Sequence, residues 1–311
     1  MRGLGKAVLP GRSSAGWVGG GAAPDFDFGL IRHSIPLITA TIDFRIIDET
    51  DNYIVVDKPA FLLTHPTKPD HRTTLWKELR ELLAFEIANG GQVSIVNRLD
   101  RETSGVVLVA KTSAAARRFG LLMQDRHLNK EYLAIVWGWP DWETKILDAP
   151  MDRQGKHQPS AIWLKQTIHP KGAKAFTEFR VEQRFAKNIL QPSPAASQPP
   201  GRDCDRAEHR EDGGEGRRRS KFSLIRAIPK TGRTHQIRVH LASLGYPIVG
   251  DKIYGPNEKL YLEFIETGWT PKLEGELLLP RHALHSARLA IETEREWTAE
   301  LPADLAQFIG D

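Results

Sequence analysis

Two short apolar runs, Val93-Ser94-Ile95-Val96 and Val106-Val107-Leu108-Val109-Ala110, stand either side of the segment Asn97–Gly105. Runs of this length and β-branched content read as strands, so the segment between them is a loop held at both ends by a sheet. Arg45-Ile46-Ile47 and Tyr53-Ile54-Val55-Val56 read as further strands, the second stopped by Pro59. Tyr132–Val136 and Phe222–Ile228 add two more, and Phe179 and Val181 alternate with charged residues as a half-buried antiparallel strand does. Leu75, Leu79, Leu82 and Leu83 recur at helical spacing behind Thr74 as N-cap, and a second helix is expected from Ser113 to about Arg126. Strands and helices mix without regular βαβ alternation. The expected fold class is α+β, a mixed and largely antiparallel sheet with flanking helices.

Residues 1–40 are glycine-rich and aperiodic and read as a flexible lead-in, leaving 41–308 as one catalytic-size domain. Residues 191–220, rich in Pro, Ser, Gly and mixed charge and ending on Arg217-Arg218-Arg219, read as a disordered insertion in a loop. The lone cysteine, Cys204, excludes internal disulfides and multi-thiolate zinc sites. No apolar run approaches the roughly 20 residues of a membrane span, and the lead-in lacks the apolar core of a secretory signal. A bacterial cytoplasmic protein is expected, an organellar matrix protein being the alternative. Net charge is only +4, but its distribution is uneven. Lys221–Gly250 holds five basic residues and no acid, and Arg98–Lys130 holds seven against three. Local excess of this kind suits a partner made of phosphates.

Chemistry concentrates in two places. In the 97–105 loop one carboxylate, Asp100, sits between Arg98 and Arg101. Nearby positive charge favours its ionised form, which makes it a candidate nucleophile or base rather than a proton donor; the plainer reading is a surface charge cluster on a turn. Lys230-Thr231-Gly232-Arg233-Thr234-His235-Gln236-Ile237-Arg238-Val239-His240 is expected to turn at Gly232 into a helix capped by Thr234 and stopped at Gly245 and Pro247. Its N-terminus, with Lys230 and Arg233 before it, offers an anion site for phosphate or for a carboxylate such as Asp100. His235 and His240, five apart, lie on different helix faces, which disfavours shared metal ligation.

The string Asn97-Arg98-Leu99-Asp100-Arg101-Glu102-Thr103-Ser104-Gly105 with Ala110-Lys111 resembles the signature of the RluA-type RNA pseudouridine synthases, with Asn97 where the family usually has His. Gly232–His240 with Asp251-Lys252-Ile253-Tyr254-Gly255, and Lys130-Glu131-Tyr132, resemble two further motifs of that group. Weaker echoes are Val56–Pro59 with Leu63–Pro66, and Arg281–Ser286, in which His282 and His285 read as structural. The resemblance runs from about residue 42 to 306, and it implies the pseudouridine synthase fold and isomerisation of uridine to pseudouridine in ribosomal or transfer RNA. It further implies Asp100 as catalytic residue, Tyr132 against the target base, and Arg233 as the ion-pair partner of Asp100. Arg98, Arg101, Lys230 and Arg238 are expected to hold the RNA, Arg98 by filling the stack vacated by a flipped base. No metal or cofactor is expected, nor a membrane, and a monomer is. Relatives often carry an S4 RNA-binding domain ahead of the synthase domain, for which the first 40 residues are too few. The competing readings are a non-catalytic RNA-binding protein on the same basic surface, and a nucleoside glycosidase.

Overall fold

A computed structural model of the chain describes residues 44–66, 72–190, 217–292 and 294–310. Its strands are β1 (Arg45–Glu49), β2 (Tyr53–Lys58), β3 (Ser94–Ile95), β4 (Ser104–Ala110), β5 (Leu128–Trp137), β6 (Thr144–Asp148), β7 (Met151–Arg153), β8 (Gln166–Ile168), β9 (Phe176–Leu190), β10 (Arg217–Pro229), β11 (Leu284–Ile291) and β12 (Arg295–Thr298). Its helices are α1 (Leu75–Leu82), α2 (Ala84–Ala88), α3 (Ser113–Gln124), α4 (Gln236–Ser243), α5 (Lys259–Thr267), α6 (Pro271–Leu277) and α7 (Ala303–Gly310). Ten strands form one sheet in the order β1-β2-β4-β11-β5-β10-β9-β6, with β3 also on β4 and β12 on β11, while β7 and β8 pair separately. Among the described residues only β4 and β11 run parallel, so the sheet is mixed and largely antiparallel, as the sequence implies.

The apolar run Val106–Ala110 lies in the middle of that sheet, and β4 is buried at every position. Val107 and Val109 pack into a core with Leu75 and Leu79 of α1, Ile237 and Leu241 of α4 and Leu305 of α7. Val106, Leu108 and Ala110 pack on the other face with Phe119 of α3. Both faces are thus covered, which is why the run is continuously apolar. Gly105 has φ 111°, and a β-carbon there would stand 2.2 Å from the carbonyl oxygen of Ser286 on β11. Only glycine lets β4 start against β11 at the end of the 97–104 loop.

Thr74 caps α1, accepting from Lys77 N at 3.2 Å. The expected Thr234 cap is not formed. α4 starts at Gln236 behind His235, which takes a left-handed φ of 57° and makes no side-chain cap bond. Gln236 replaces the cap: its Oε1 accepts from Arg233 N at 3.0 Å and Thr231 Oγ1 at 2.7 Å. Gly245, at φ 85°, ends the helix as expected. The expected insertion at 191–220 is too long at its C-terminal end. Arg217–Ser220 pair with Leu190–Lys187 and extend β10, because a backbone ladder needs only a partner strand and not apolar side chains. Residues 191–216 and the lead-in 1–40 lie outside the described residues. No helix among those described is long and apolar enough to cross a membrane.

Candidate active site

Asp100 sits on the loop between β3 and β4, and that loop is tied at every turn. Asn97 is buried and uses its amide as a strand would, donating to Val106 O at 2.9 Å and accepting from Leu108 N at 2.8 Å. Thr64 Oγ1 donates to Leu99 O at 2.8 Å. At the far end Thr103 Oγ1 meets His282 Nε2 at 2.7 Å and Ser104 Oγ meets His285 Nδ1 at 3.0 Å. Beneath the loop the buried Lys58 donates to the carbonyls of Pro59 and Leu62, both at 2.8 Å, and of Arg101 at 3.3 Å. Burial pushes its ammonium down to about 7. The two histidines are therefore struts, as their sequence context suggested.

The carboxylate opens into a cavity of about 340 Å³ whose walls include Arg98, Lys130, Tyr132, Arg233 and His235. Asp100 keeps 32% of its side-chain surface exposed, whereas Arg238 keeps 6%. Arg238 Nη1 donates to Asp100 Oδ2 at 2.9 Å, while its Nε and Nη2 grip Asp251 at 2.6 and 2.8 Å. Asp251 is in turn fixed by the N–H groups of Ile253 and Tyr254, each at 3.0 Å. The Tyr254 ring lies under the guanidinium, 5.0 Å from ring centre to Cζ. A planar fork is needed here, because one cation must serve two carboxylates at fixed angles.

Burial alone would raise the Asp100 carboxyl, yet the positive charge around it, foremost at His235 and Arg238, holds it below the ordinary carboxylate value. Burial also pushes His235 down to about 4 and His282 well below its usual value. Both imidazoles are then neutral near pH 7, so Arg238 is the cation that keeps Asp100 ionised there. Tyr254 Oη accepts from Gln166 N at 2.8 Å and lies 2.8 Å from His235 Nδ1. The other ring nitrogen of His235, Nε2, lies 3.9 Å from Asp100 Oδ2. Tyr132, on β5, is buried in the cavity wall, and burial pushes its phenol up to about 12, so it is protonated at neutral pH.

The structure redistributes the roles expected from the sequence. Asp100 and Tyr132 share the cavity, with Arg98 exposed at its edge. Arg233 does not pair with Asp100. It precedes α4, is exposed, and donates Nε to Lys174 O at 2.9 Å; the Asp100 partner is Arg238, which the helix presents on its buried face. Arg238, expected as an RNA contact, is buried in the cavity wall, and its Nε, Nη1 and Nη2 each donate to a carboxylate. Arg101 is exposed but turns from the cavity to Phe61, donating Nε to its carbonyl at 3.3 Å. Lys230 is exposed beside a second cavity. Asp251 and Tyr254 were not singled out as site residues; their signal was the run Asp251–Gly255, legible only as a companion of the Gly232–His240 motif, which itself holds His235. Among the described residues no three His, Cys, Asp or Glu side chains are grouped as metal ligands.

Fold and cavity together define a class: a site with one ionised, positioned carboxylate, a protonated phenol and a basic rim. Residues 52–243 match the RNA pseudouridylate synthase family, and the chain belongs to it. It is 34% identical, over 80% of its length and 63% of the relative's, to an uncharacterized RNA pseudouridine synthase of Chloroflexus aurantiacus. It is 29% identical, over 86% of its length and 65% of the relative's, to the ribosomal large subunit pseudouridine synthase D of Nitrosomonas europaea. The chain thus spans just under two thirds of these relatives. The solved structure of human RNA pseudouridylate synthase domain containing 4 shares the fold, with TM-score 0.57 and 20% identity over 84% of this chain and 90% of that one.

Proposed function

We propose that this chain is an RNA pseudouridine synthase, isomerising specific uridines of structured ribosomal or transfer RNA in the cytoplasm, with Asp100 as catalytic residue. The observation that carries the reading is the Asp100 carboxylate itself. It is ionised, held through one oxygen by Arg238, and open to a cavity walled by Tyr132. The reaction breaks the C1′–N1 glycosidic bond, turns the uracil, and rejoins it through C5. Charge develops at C1′ as in glycoside hydrolysis, where a carboxylate faces an oxocarbenium-like centre. A hydrolase needs a second carboxyl group as acid, whereas an isomerase that recaptures its own base does not. Asp251 cannot supply that acid, being fully buried and bound to Arg238.

Tyr132 presents its ring and a protonated hydroxyl to the base, and the target nucleotide must leave its helix or loop to reach them. Arg98, exposed on the loop two residues before Asp100, is suited to stack in the vacated place. The name of the Nitrosomonas europaea relative supports a ribosomal substrate. Pseudouridine mapping of total RNA from a strain lacking the gene tests the reading. One or a few uridines should lose the modification and regain it with the wild-type gene but not with Asp100→Asn. An unchanged map would refute it.

A further inference from the structure

A second cavity, of about 370 Å³, adjoins that of Asp100 and shares Thr231 with it; Arg126, Asp148, Lys174, Phe176 and Lys230 line the rest. These residues come from the α3–β5 turn, the end of β6, the entry to β9 and the exit of β10. The common wall is firmly built. Thr231 Oγ1 accepts from Phe176 N at 3.0 Å and bonds Gln236 Oε1 at 2.7 Å. Arg233, on the Asp100 side, is tied to the carbonyl of Lys174 on the other at 2.9 Å.

Three cations face one carboxylate in this cavity, and among the described residues the three make a single ion pair, the loose Lys230–Glu178 contact at 3.7 Å. At the wall of the first cavity stands Lys130. Among the described residues its ammonium has Met123 Sδ, 3.7 Å away, as its partner and no carboxylate within ion-pair distance. Its ammonium borders the cavity beside Gly232. A half-buried cation without an internal anion is costly and suits an anion from outside.

A polynucleotide that places one residue in the first cavity must place its neighbour one phosphate away. We propose that the second cavity is the subsite for the ribonucleotide adjoining the target uridine. The linking phosphate passes Lys130 and Arg233, and the neighbour's own phosphate meets Lys174, Lys230 and Arg126. Its base lies on the half-exposed Phe176 ring, and Asp148 accepts from a ribose hydroxyl or a base amino group. The inference rests on the Asp100 cavity being the uridine site.

The test uses the full chain and a synthetic RNA hairpin carrying the uridine found by mapping, with neutral methylphosphonate replacing each flanking phosphate in turn. In wild type one such replacement should weaken binding about 5- to 10-fold. The double variant Lys174→Gln, Lys230→Gln should lose a similar factor and flatten the salt dependence by about 0.7 for each phosphate released. Combining variant and methylphosphonate should then cost nothing further, and Lys174→Arg, Lys230→Arg should restore binding. Independent, multiplying losses, or wild-type affinity and salt slope in the glutamine variant, would overturn the subsite. Failure of the wild-type protein to convert that uridine would instead refute the functional reading, while the binding measurements still decide the subsite.

Discussion

Replacing Arg238 by Met removes the side chain that holds the Asp100 carboxylate. Two carboxylates lose their cation at once: Asp251, which is wholly buried, and Asp100, 32% exposed. Three charge-assisted hydrogen bonds of 2.6, 2.8 and 2.9 Å disappear with it. Breaking a buried pair from one side costs about 3–5 kcal/mol, most of it the price of an uncompensated charge. Asp251 avoids that cost by taking up a proton, and the Asp100 carboxyl rises once its cation is gone. Urea unfolding should therefore show a loss of about 3–5 kcal/mol at pH 7 that shrinks at lower pH, where both carboxyls are neutral anyway. Single-turnover pseudouridine formation should fall, with its acid limb shifted upward. Arg238→Lys keeps the charge but not the fork, so it should recover part of the stability and little of the rate. A folded Arg238→Met protein within 1 kcal/mol of wild type and equally active would refute the ion-pair account.

Three further outcomes follow from the same geometry. Asn97→Ala strips two buried backbone groups of their partners and should cost about 2–4 kcal/mol in urea unfolding; an unchanged midpoint would show that the loop is held by other ties. His235 binds its proton only near pH 4, against 6.5 unfolded. As pH falls from 6.5 to 4 the unfolded chain gains a proton that the folded one refuses, so stability should fall by on the order of 3 kcal/mol over that window, and the rate should hold to about pH 5 before dropping, whereas a rate limb near 6.5 would contradict a neutral His235. Because Leu190 pairs with Arg217, replacing 191–216 by a short Gly-Ser turn should shift stability by only about 1 kcal/mol and leave the single-turnover rate intact; a large fall in that rate would put the segment in the active site.

Much of this arrangement was legible in the sequence because it is local. The apolar run Val106–Ala110, the Thr74 cap and the Gly245 stop are written in consecutive residues, and so is the Asp100 loop. The choice between Arg233 and Arg238 was not. It turns on where α4 begins, and that start is set by the left-handed His235 and the Gln236 bond back to Thr231, neither of which the residue pattern announces. With the helix phase unknown, either arginine was within reach of Asp100. Asp251 was hidden for a different reason: its role exists only through the side chain of Arg238, thirteen residues earlier. Arg217–Ser220 looked unable to order because composition reports burial, whereas their strand rests on backbone pairing with β9.

The claim that Asp100 works as a charged, positioned carboxylate is tested most directly by tritium release from RNA labelled at uridine C5. Wild-type protein should release tritium without freeing uracil, since an isomerase exchanges that hydrogen and keeps the base. Asp100→Asn keeps the size and removes the charge. It should bind the RNA with near wild-type affinity, because phosphate contacts supply most of it, and slow release by more than about 100-fold. Tritium release at the wild-type rate from Asp100→Asn, or release accompanied by free uracil from the wild type, would contradict the account.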